Sequence, residues 1–374
     1  MVSYNTAELR RQNRNRVFRY IYSSETPVSK QDVAQNLSLS LPTVGQNLRE
    51  LLDIGLLELQ GTFDSTGGRK PKAIGVNSQF KFAMGLMLSN RHIHMACVDL
   101  RAHQLCDATI TKPFSNDDTY CRELGEIIEQ FLNENEIDRE KLLGVGIALP
   151  GIPDLERGVV DLSRVVDFQE LDIALLKKYI PYPLFLENDA NAGGVAEWWN
   201  NSSASPMVYL SVQKGVGGAV LVNGVDYLTH HSHSGEFGHM CIVPNGLPCR
   251  CGKKGCLEAY CSTARLSDNL GITREEFFAA LEAGNKEYQL LWNEMLDHLA
   301  YAVYNIHIVL DCDIILGGVL AQFIEPYMPD LRARVSMISS FPTDGSYLHF
   351  SKYRKWTSCV GVALHFISDF LDTI

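Results

Sequence analysis

The chain has 374 residues, more than one ordinary core organises, so two or three domains are expected. Hydrophobic residues at 46% and charged residues at 21% describe a soluble globular protein rather than a disordered one. No apolar run reaches the roughly 18 residues a membrane span needs, and ten scattered cysteines fit a reducing cytosol better than a disulfide framework. The formal net charge of −11 is unevenly spread: residues 1–77 carry ten Lys/Arg against seven Asp/Glu, and the remainder 23 against 37. A small basic module joined to a large acidic body meets a polyanion with one end only. The opening MVSYNTAELRRQNRNR has no apolar signal core, which points to a cytoplasmic protein without membrane insertion.

The first expected helix, RQNRNRVFRYIY at 11–22, sets Val17, Phe18 and Ile21 on one face. After Pro27 a second short helix is expected through residue 37, with Ser29 as cap and Asp32 three positions on. Pro42 suits the first turn of a third helix over about 41–53, ending before Gly55. This spacing predicts a helix-turn-helix unit whose third helix enters the DNA major groove. Thr43, Gln46, Asn47 and Arg49 are groups able to reach base edges or phosphates. Val33, Ala34, Leu37, Val44, Leu48, Leu51 and Leu52 read as interior. LLELQ and GTFDSTGGRKPKAIGVN then read as a hairpin, or wing, with Gly67 and Gly68 at its tip. Arg69, Lys70 and Lys72 are placed to meet DNA backbone or a minor groove. The competing reading of residues 1–77 is a basic protein-binding module.

From residue 78 the texture is α/β. FAMGLML and HIHMACVDL read as paired strands, Leu124–Phe131 as a helix, and LLGVGIALPGIPD as a buried strand ending in a turn. PLFLENDANAGGVAEWW is a strand running into a helix, and MVYLSVQKGVGGAVLVNG a strand pair about a Gly-rich turn. Residues 286–308 are helical, DIILGGVL is a strand, and VGVALHFISDFLDTI closes the chain as a helix. Polar and glycine residues gather where strands end, at Asn188 and Asp189, at Lys214–Gly218 and at Gly317–Gly318, which is where α/β folds put ligands.

His239, Cys249, Cys251 and Cys256 follow the spacing H-x9-C-x-C-x4-C. One imidazole and three thiolates make a tetrahedral zinc set, and soft sulfur favours zinc over magnesium or calcium. Four protein ligands leave no open position, so the expected zinc is structural. Cys241 and Cys261 are competing ligands, His230, His231 and His233 lie just upstream, and a buried thiol cluster is the alternative.

GEFGH at 235–239, CRCGKKGCLEAY at 249–260, LENDANAGG at 186–194 and ALPGIPD at 148–154 resemble the ROK family of repressors, open reading frames and sugar kinases. The resemblance spans nearly the whole chain. It implies a winged helix-turn-helix domain, 1–77, and two α/β lobes of the actin-like sugar-kinase fold. The first lobe would be 78–190, completed by the C-terminal helix 360–374, and the second 191–359 with the zinc loop. It implies zinc on His239, Cys249, Cys251 and Cys256, and a sugar held between the lobes by Asn188, Asp189, Glu236, His239 and Glu258. Carboxylates accept paired bonds from neighbouring hydroxyls, and a histidine can ligate metal through one nitrogen and meet sugar through the other. In the family's kinases the residue matching Asp189 takes the proton from the attacking hydroxyl; without the family pattern Asp189 reads equally well as a helix cap.

The kinases also resemble one another in a first phosphate loop, G-x-D-x-G-G-T. Here that place reads GLMLSNR, 85–91, with Met87 where the aspartate belongs. Methionine cannot organise magnesium. SVQKGVGGA keeps Gly215, Gly217 and Gly218, while Gln213 and Lys214 depart from the usual pair. Arg91 or Lys214 remains available to a phosphate on the sugar. The expectation is therefore a non-enzymatic, xylose-repressor-like sensor that binds a DNA operator as a homodimer, or a tetramer, and is released by sugar. The alternatives are a kinase with residual ATP-dependent activity and a repressor controlled by a protein partner.

Overall fold

The computed structural model describes residues 6–64, 70–154, 156–162, 170–199, 201, 205–222, 225–226, 234–353 and 355–374. The N-terminal unit has α1 (Thr6–Ser23), α2 (Lys30–Leu37), α3 (Leu41–Asp53), β1 (Leu57–Thr62) and β2 (Lys72–Val76). α1 buries Val17, Phe18 and Ile21, the face its spacing predicts. α2 opens on a capping box: Ser29 Oγ accepts the Asp32 N–H at 3.2 Å, and the Asp32 carboxylate accepts the Ser29 N–H at 2.8 Å. Ser40 caps α3, with Pro42 in its first turn. β1 and β2 pair antiparallel, Leu57 opposite Val76. The expected hairpin tip, Gly67 and Gly68, and Arg69 lie outside the described residues.

One outward-facing expectation on α3 is corrected. Asn47 is 2% exposed, and its Nδ2 donates to the Thr43 carbonyl at 2.9 Å. It falls three residues after Val44 and four before Leu51, inside the stripe that packs inward. Gln46 and Arg49 stay exposed and Thr43 half-buried.

The first lobe runs β3 (Phe82–Leu88), β4 (His92–Asp99), β5 (Gln104–Thr111), α4 (Asp118–Glu134), β6 (Leu142–Leu149), β7 (Gly151–Asp154), β8 (Val159–Leu162), β9 (Glu170–Asp172), α5 (Ile173–Tyr179) and β10 (Leu184–Asn188). Its main sheet has the order β10-β6-β3-β4-β5, and β7-β8-β9 form a small sheet beside it. α6 (Asp189–Trp199) follows β10 directly. The second lobe runs β11 (Met207–Val212), β12 (Val216–Val222), β13 (Val225–Asp226), α7 (Leu257–Cys261), α8 (Arg274–Glu282), α9 (Lys286–Leu310), β14 (Asp313–Gly317), α10 (Met328–Ile338) and β15 (Leu348–Phe350), with strand order β13-β12-β11-β14-β15. α11 (Thr357–Thr373) closes the chain. β5 was not legible as a strand because it is the sheet edge, where polar residues interrupt the apolar run.

α11 crosses back from the second lobe and lies on β3, β6 and α6. α6 in turn packs on β11 and β12, so this helix pair joins the two sheets. The approach is backbone to backbone: a methyl group at Gly361 would stand 1.7 Å from the Ala192 carbonyl oxygen, so only glycine fits there.

The far ends of both helices meet the N-terminal unit. Trp199, Leu364, Ile367 and Leu371 pack into one core with Val17, Phe18 and Ile21. Arg14 donates to the Ile374 carbonyl at 2.9 Å, and Arg19 pairs with Asp372 at 2.8 Å. From the first lobe, the Arg101 guanidinium donates to the carbonyls of Tyr22 at 2.8 Å, Ser24 at 3.2 Å and Ile21 at 3.3 Å. These carbonyls lie in the last turn of α1 and just beyond it, and that of Ile21 also accepts the Ser24 N–H at 3.3 Å. Arg101→Ala should cost about 1–3 kcal/mol at this joint. In urea, unfolding followed by limited proteolysis after α1 should begin earlier; a superimposable curve would contradict the capping role.

Candidate functional site

His239 ends a short 3-10 turn, Phe237–His239, and Cys256 is the residue before α7. Cys249 and Cys251 lie in the tight loop between them, where a bridge pairs Pro248 with Lys254. Gly255 turns this loop with φ 82°, and a Cβ there would stand 1.9 Å from the Val243 carbonyl oxygen. The four donor atoms of His239, Cys249, Cys251 and Cys256 all lie within 4.8 Å of one another. Cys251 and Cys256 sulfurs are 3.7 Å apart, and Cys249 Sγ is 3.9 Å from His239 Nδ1. A tetrahedral ion with 2.3 Å metal–sulfur bonds needs sulfurs about 3.8 Å apart, so the cage has the right edges for a metal. Burial pushes the Cys256 thiol up to about 12, while the Lys253 backbone N–H pulls Cys251 down. A metal entering this cage must displace protons.

Of the competing cysteines, Cys261 is buried away from the cage with its thiol on the Met295 carbonyl. Cys241 pairs across a bridge with Cys256, outside the group of four. His230, His231 and His233 lie outside the described residues.

The cage is tied to the acids that flank it. His239 turns Nδ1 to the cysteines and Nε2 toward the Glu236 carboxylate, 3.8 Å away. Glu258 is buried, with one oxygen accepting the Val216 N–H at 3.0 Å and the other accepting Arg250 at 3.2 Å. It therefore ties the metal loop to β12, and it also accepts the Cys249 thiol at 3.9 Å.

Asn188 and Asp189 stand where β10 passes into α6. Asn188 Oδ1 accepts the N–H groups of Ala190 at 2.9 Å and Asn191 at 3.2 Å, and its Nδ2 donates to the Gly151 carbonyl at 3.1 Å. Asn188, rather than Asp189, thus performs the helix-capping work, which leaves the Asp189 carboxyl for another task. Burial raises the Asp189 carboxyl to about 6, with the charge of Glu236 adding to the effect. Two partners of Asp189 were not legible in the sequence. Gln213 Nε2 donates to its carboxylate at 3.4 Å, and Ser358 Oγ, in the first turn of α11, donates to its carbonyl at 2.7 Å. Ser358 is 169 positions away, and no local pattern marks it.

The segment resembling the first phosphate loop is packed along its strand and exposed at Asn90 and Arg91. Met87 packs with Ala148, Ala192 and Val362, and it pairs in register with His94. Burial pushes His94 down to about 4, so its ring is neutral at pH 7, and Trp356 lies against it at 5.2 Å. Ser89 spends its hydroxyl on the His92 backbone, and Lys214 is paired with Asp268 at 2.5 Å. Met87, His94 and Trp356 bring no carboxylate to this segment to organise magnesium, while Arg91 stays exposed beside them.

On the N-terminal unit, Thr43 Oγ1 bonds Ser40 Oγ at 2.8 Å, Glu50 pairs with Arg10 at 2.8 Å, and Lys70 lies 3.8 Å from Asp64. Gln46, Arg49, Lys70 and Lys72 are exposed.

The xylose repressor of Bacillus subtilis is 27% identical over 66% of this chain and 64% of its own length. The xylose repressor of Caldicellulosiruptor bescii is 24% identical over 92% of this chain and 93% of its own. A solved ROK family transcriptional regulator, a homolog of the Escherichia coli MLC protein, superposes with a TM-score of 0.75 at 21% identity, covering 97% of each chain. The ROK hexokinase of Thermus thermophilus superposes at 0.60 with 25% identity, covering 78% of this chain and 99% of its own. The ROK family model itself matches residues 83–367, from the first strand of the body to the closing helix, and the chain therefore belongs to the ROK family.

Proposed function

We propose that this chain is a sugar-responsive DNA-binding repressor of carbohydrate uptake or catabolic genes. One observation carries the reading: the Asp189 carboxyl, raised by burial, lies beside Gln213 and the charge of Glu236, while the segment resembling the phosphate loop holds Met87, a neutral His94 and Trp356. A cleft so built binds a sugar and does not phosphorylate it. The family's repressors and kinases share the body fold, so the filled phosphate side distinguishes the two readings here. Sugar-dependent ADP release, lost in Asp189→Asn, would favour the kinase instead.

The sugar ligands in this reading are Asn188, Asp189, Glu236, His239 and Glu258. The metal is zinc, held by His239, Cys249, Cys251 and Cys256 in a closed structural site. It braces the loop that carries Glu236 at one end and Glu258 at the other. The three helices and hairpin act as a winged helix-turn-helix, with α3 in the major groove. Thr43, Gln46 and Arg49 face the bases or phosphates, and Lys70 with Arg69 the flanking backbone. A homodimer sets two such helices about 34 Å apart on a palindromic operator. Xylose is the first sugar to test, because it is named in relatives that match along most of the chain; N-acetylglucosamine is the second, named in a repressor 24% identical over 65% of this chain.

Arg49→Ala should weaken operator binding roughly fivefold or more and leave sugar affinity unchanged in calorimetry. Loss of both would refute the division of labour. An ionised Asp189 accepts stronger hydrogen bonds from sugar hydroxyls than its protonated form. Sugar affinity should therefore fall as pH drops through about 6, and Asp189→Asn should flatten that profile. A wild-type profile already flat from pH 5 to 8 would remove Asp189 from the site. Elemental analysis should find one zinc per chain. Chelation should expose Cys249, Cys251 and Cys256 to thiol reagents and lower sugar affinity. Full sugar affinity after zinc removal would contradict the bracing role.

A further inference from the structure

Asp189 is held from two directions by residues far apart in the chain. Gln213, just past the end of β11, sends its amide nitrogen to the Asp189 carboxylate at 3.4 Å and to Ser211 Oγ at 3.1 Å. Its own backbone is fixed, donating to the Gly215 carbonyl at 2.9 Å and accepting the Thr263 N–H at 2.8 Å. The amide therefore reaches Asp189 from a rigid edge of the second lobe. From the other direction, Ser358 fastens the Asp189 carbonyl to the start of α11. α6 begins at Asp189 and α11 one residue before Ser358, and both helices end against the N-terminal unit at Trp199 and Asp372.

The Asp189 carboxylate is held at this junction by a side-chain bond of a kind that a hydroxyl donor can replace. At 3.4 Å the Gln213 bond is near the long limit for N–H···O, so it is a tie that a hydroxyl donor at ordinary distance displaces. The Ser358 bond, at 2.7 Å to a main-chain carbonyl, stays in place. An incoming hydroxyl thus changes the link between α6 and the second lobe while leaving α6 fastened to α11.

We propose that Gln213 is a latch on the sugar signal: it ties the second lobe to α6 in the sugar-free protein, and a sugar hydroxyl takes its place on the Asp189 carboxylate. Release lets the first turn of α6 shift with α11 while Glu197 keeps the last turns of α6 on Ser351 and on the Lys352 and Tyr353 N–H groups, and the far ends carry the resulting tilt to the N-terminal unit. The proposal rests on the cleft reading given above. It meets the thermodynamic requirement for a switch, because the Gln213 bond exists in only one of the two states and sugar prefers the other. Gln213 is in this sense a positioning residue and not a sugar ligand.

The test uses the full-length, zinc-loaded protein with D-xylose, D-glucose and N-acetyl-D-glucosamine. Wild type, Gln213→Ala and Gln213→Asn are compared by calorimetry, and by sugar-driven release from an operator selected out of a random duplex pool by the sugar-free protein. Asparagine keeps the amide but is one methylene too short to reach Asp189, so both variants should behave alike. Removing a bond that only the sugar-free state makes should tighten sugar binding roughly three- to tenfold. The sugar concentration for half-release should fall by the same factor, and the thermal midpoint should fall slightly in the sugar-free protein but not in the sugar-saturated one. A merely structural role would lower both midpoints without tightening sugar binding. Unchanged or weaker sugar binding by both variants, with the wild type binding normally, overturns the latch alone. A wild type that binds none of the three sugars overturns the cleft reading and the latch with it.

Discussion

At Gly361 the backbones of α6 and α11 come so close that a methyl group would overlap the Ala192 carbonyl oxygen at 1.7 Å. Two helices in such contact move together or not at all, because close-packed interiors do not deform continuously. The rest of the molecule is arranged on this pair. The first sheet lies against α11, the second against α6, and the N-terminal unit against the far ends of both. The near ends meet at Asp189 and Ser358. A change at one carboxylate therefore has a rigid route to the N-terminal unit, which is what a sensor needs and an enzyme does not.

The cysteine cage serves that junction from the second lobe. Glu258 is fixed to the Val216 backbone and Arg250, and His239 divides its ring between the cysteines and Glu236. Backbone bonds such as Cys249 N–H to the Lys253 carbonyl and Gly255 N–H to the Leu247 carbonyl already shape the loop, and burial raises the Cys249 and Cys256 thiols that a metal would take up. With a closed tetrahedral site the loop is pinned, and both acids flanking it keep their directions. In the proposed function the metal stabilises the cleft's geometry and takes no part in chemistry.

How much was legible in the sequence depended on whether the determining contact was local. The helix starts at Ser29 and Ser40, the inward face of α1 and the gathering of His239 with three cysteines follow from patterns a few residues long. Asn47 misled because an amide on a DNA-reading helix looks outward by type, whereas its position in the Val44–Leu48–Leu51 stripe decides otherwise. β5 was hidden by the polar alternation of an edge strand. Asn188 and Asp189 stood out at a strand end, but the sequence could not divide capping from binding between them. Gln213 stood out in SVQKGVGGA as a departure from the usual pair, though not as a partner of Asp189, whereas Ser358, His94 and Trp356 meet the site only through tertiary packing, so no spacing announces them.

The central claim is that sugar alone, without nucleotide, changes how this chain holds DNA. Fluorescence anisotropy of a labelled operator complex, titrated with D-xylose and then N-acetyl-D-glucosamine in the absence of ATP, tests it most directly. The account predicts that one sugar releases the DNA in a saturable way, with added ATP and magnesium leaving the midpoint unmoved. A complex indifferent to every sugar, or one released only when ATP is present, would contradict it.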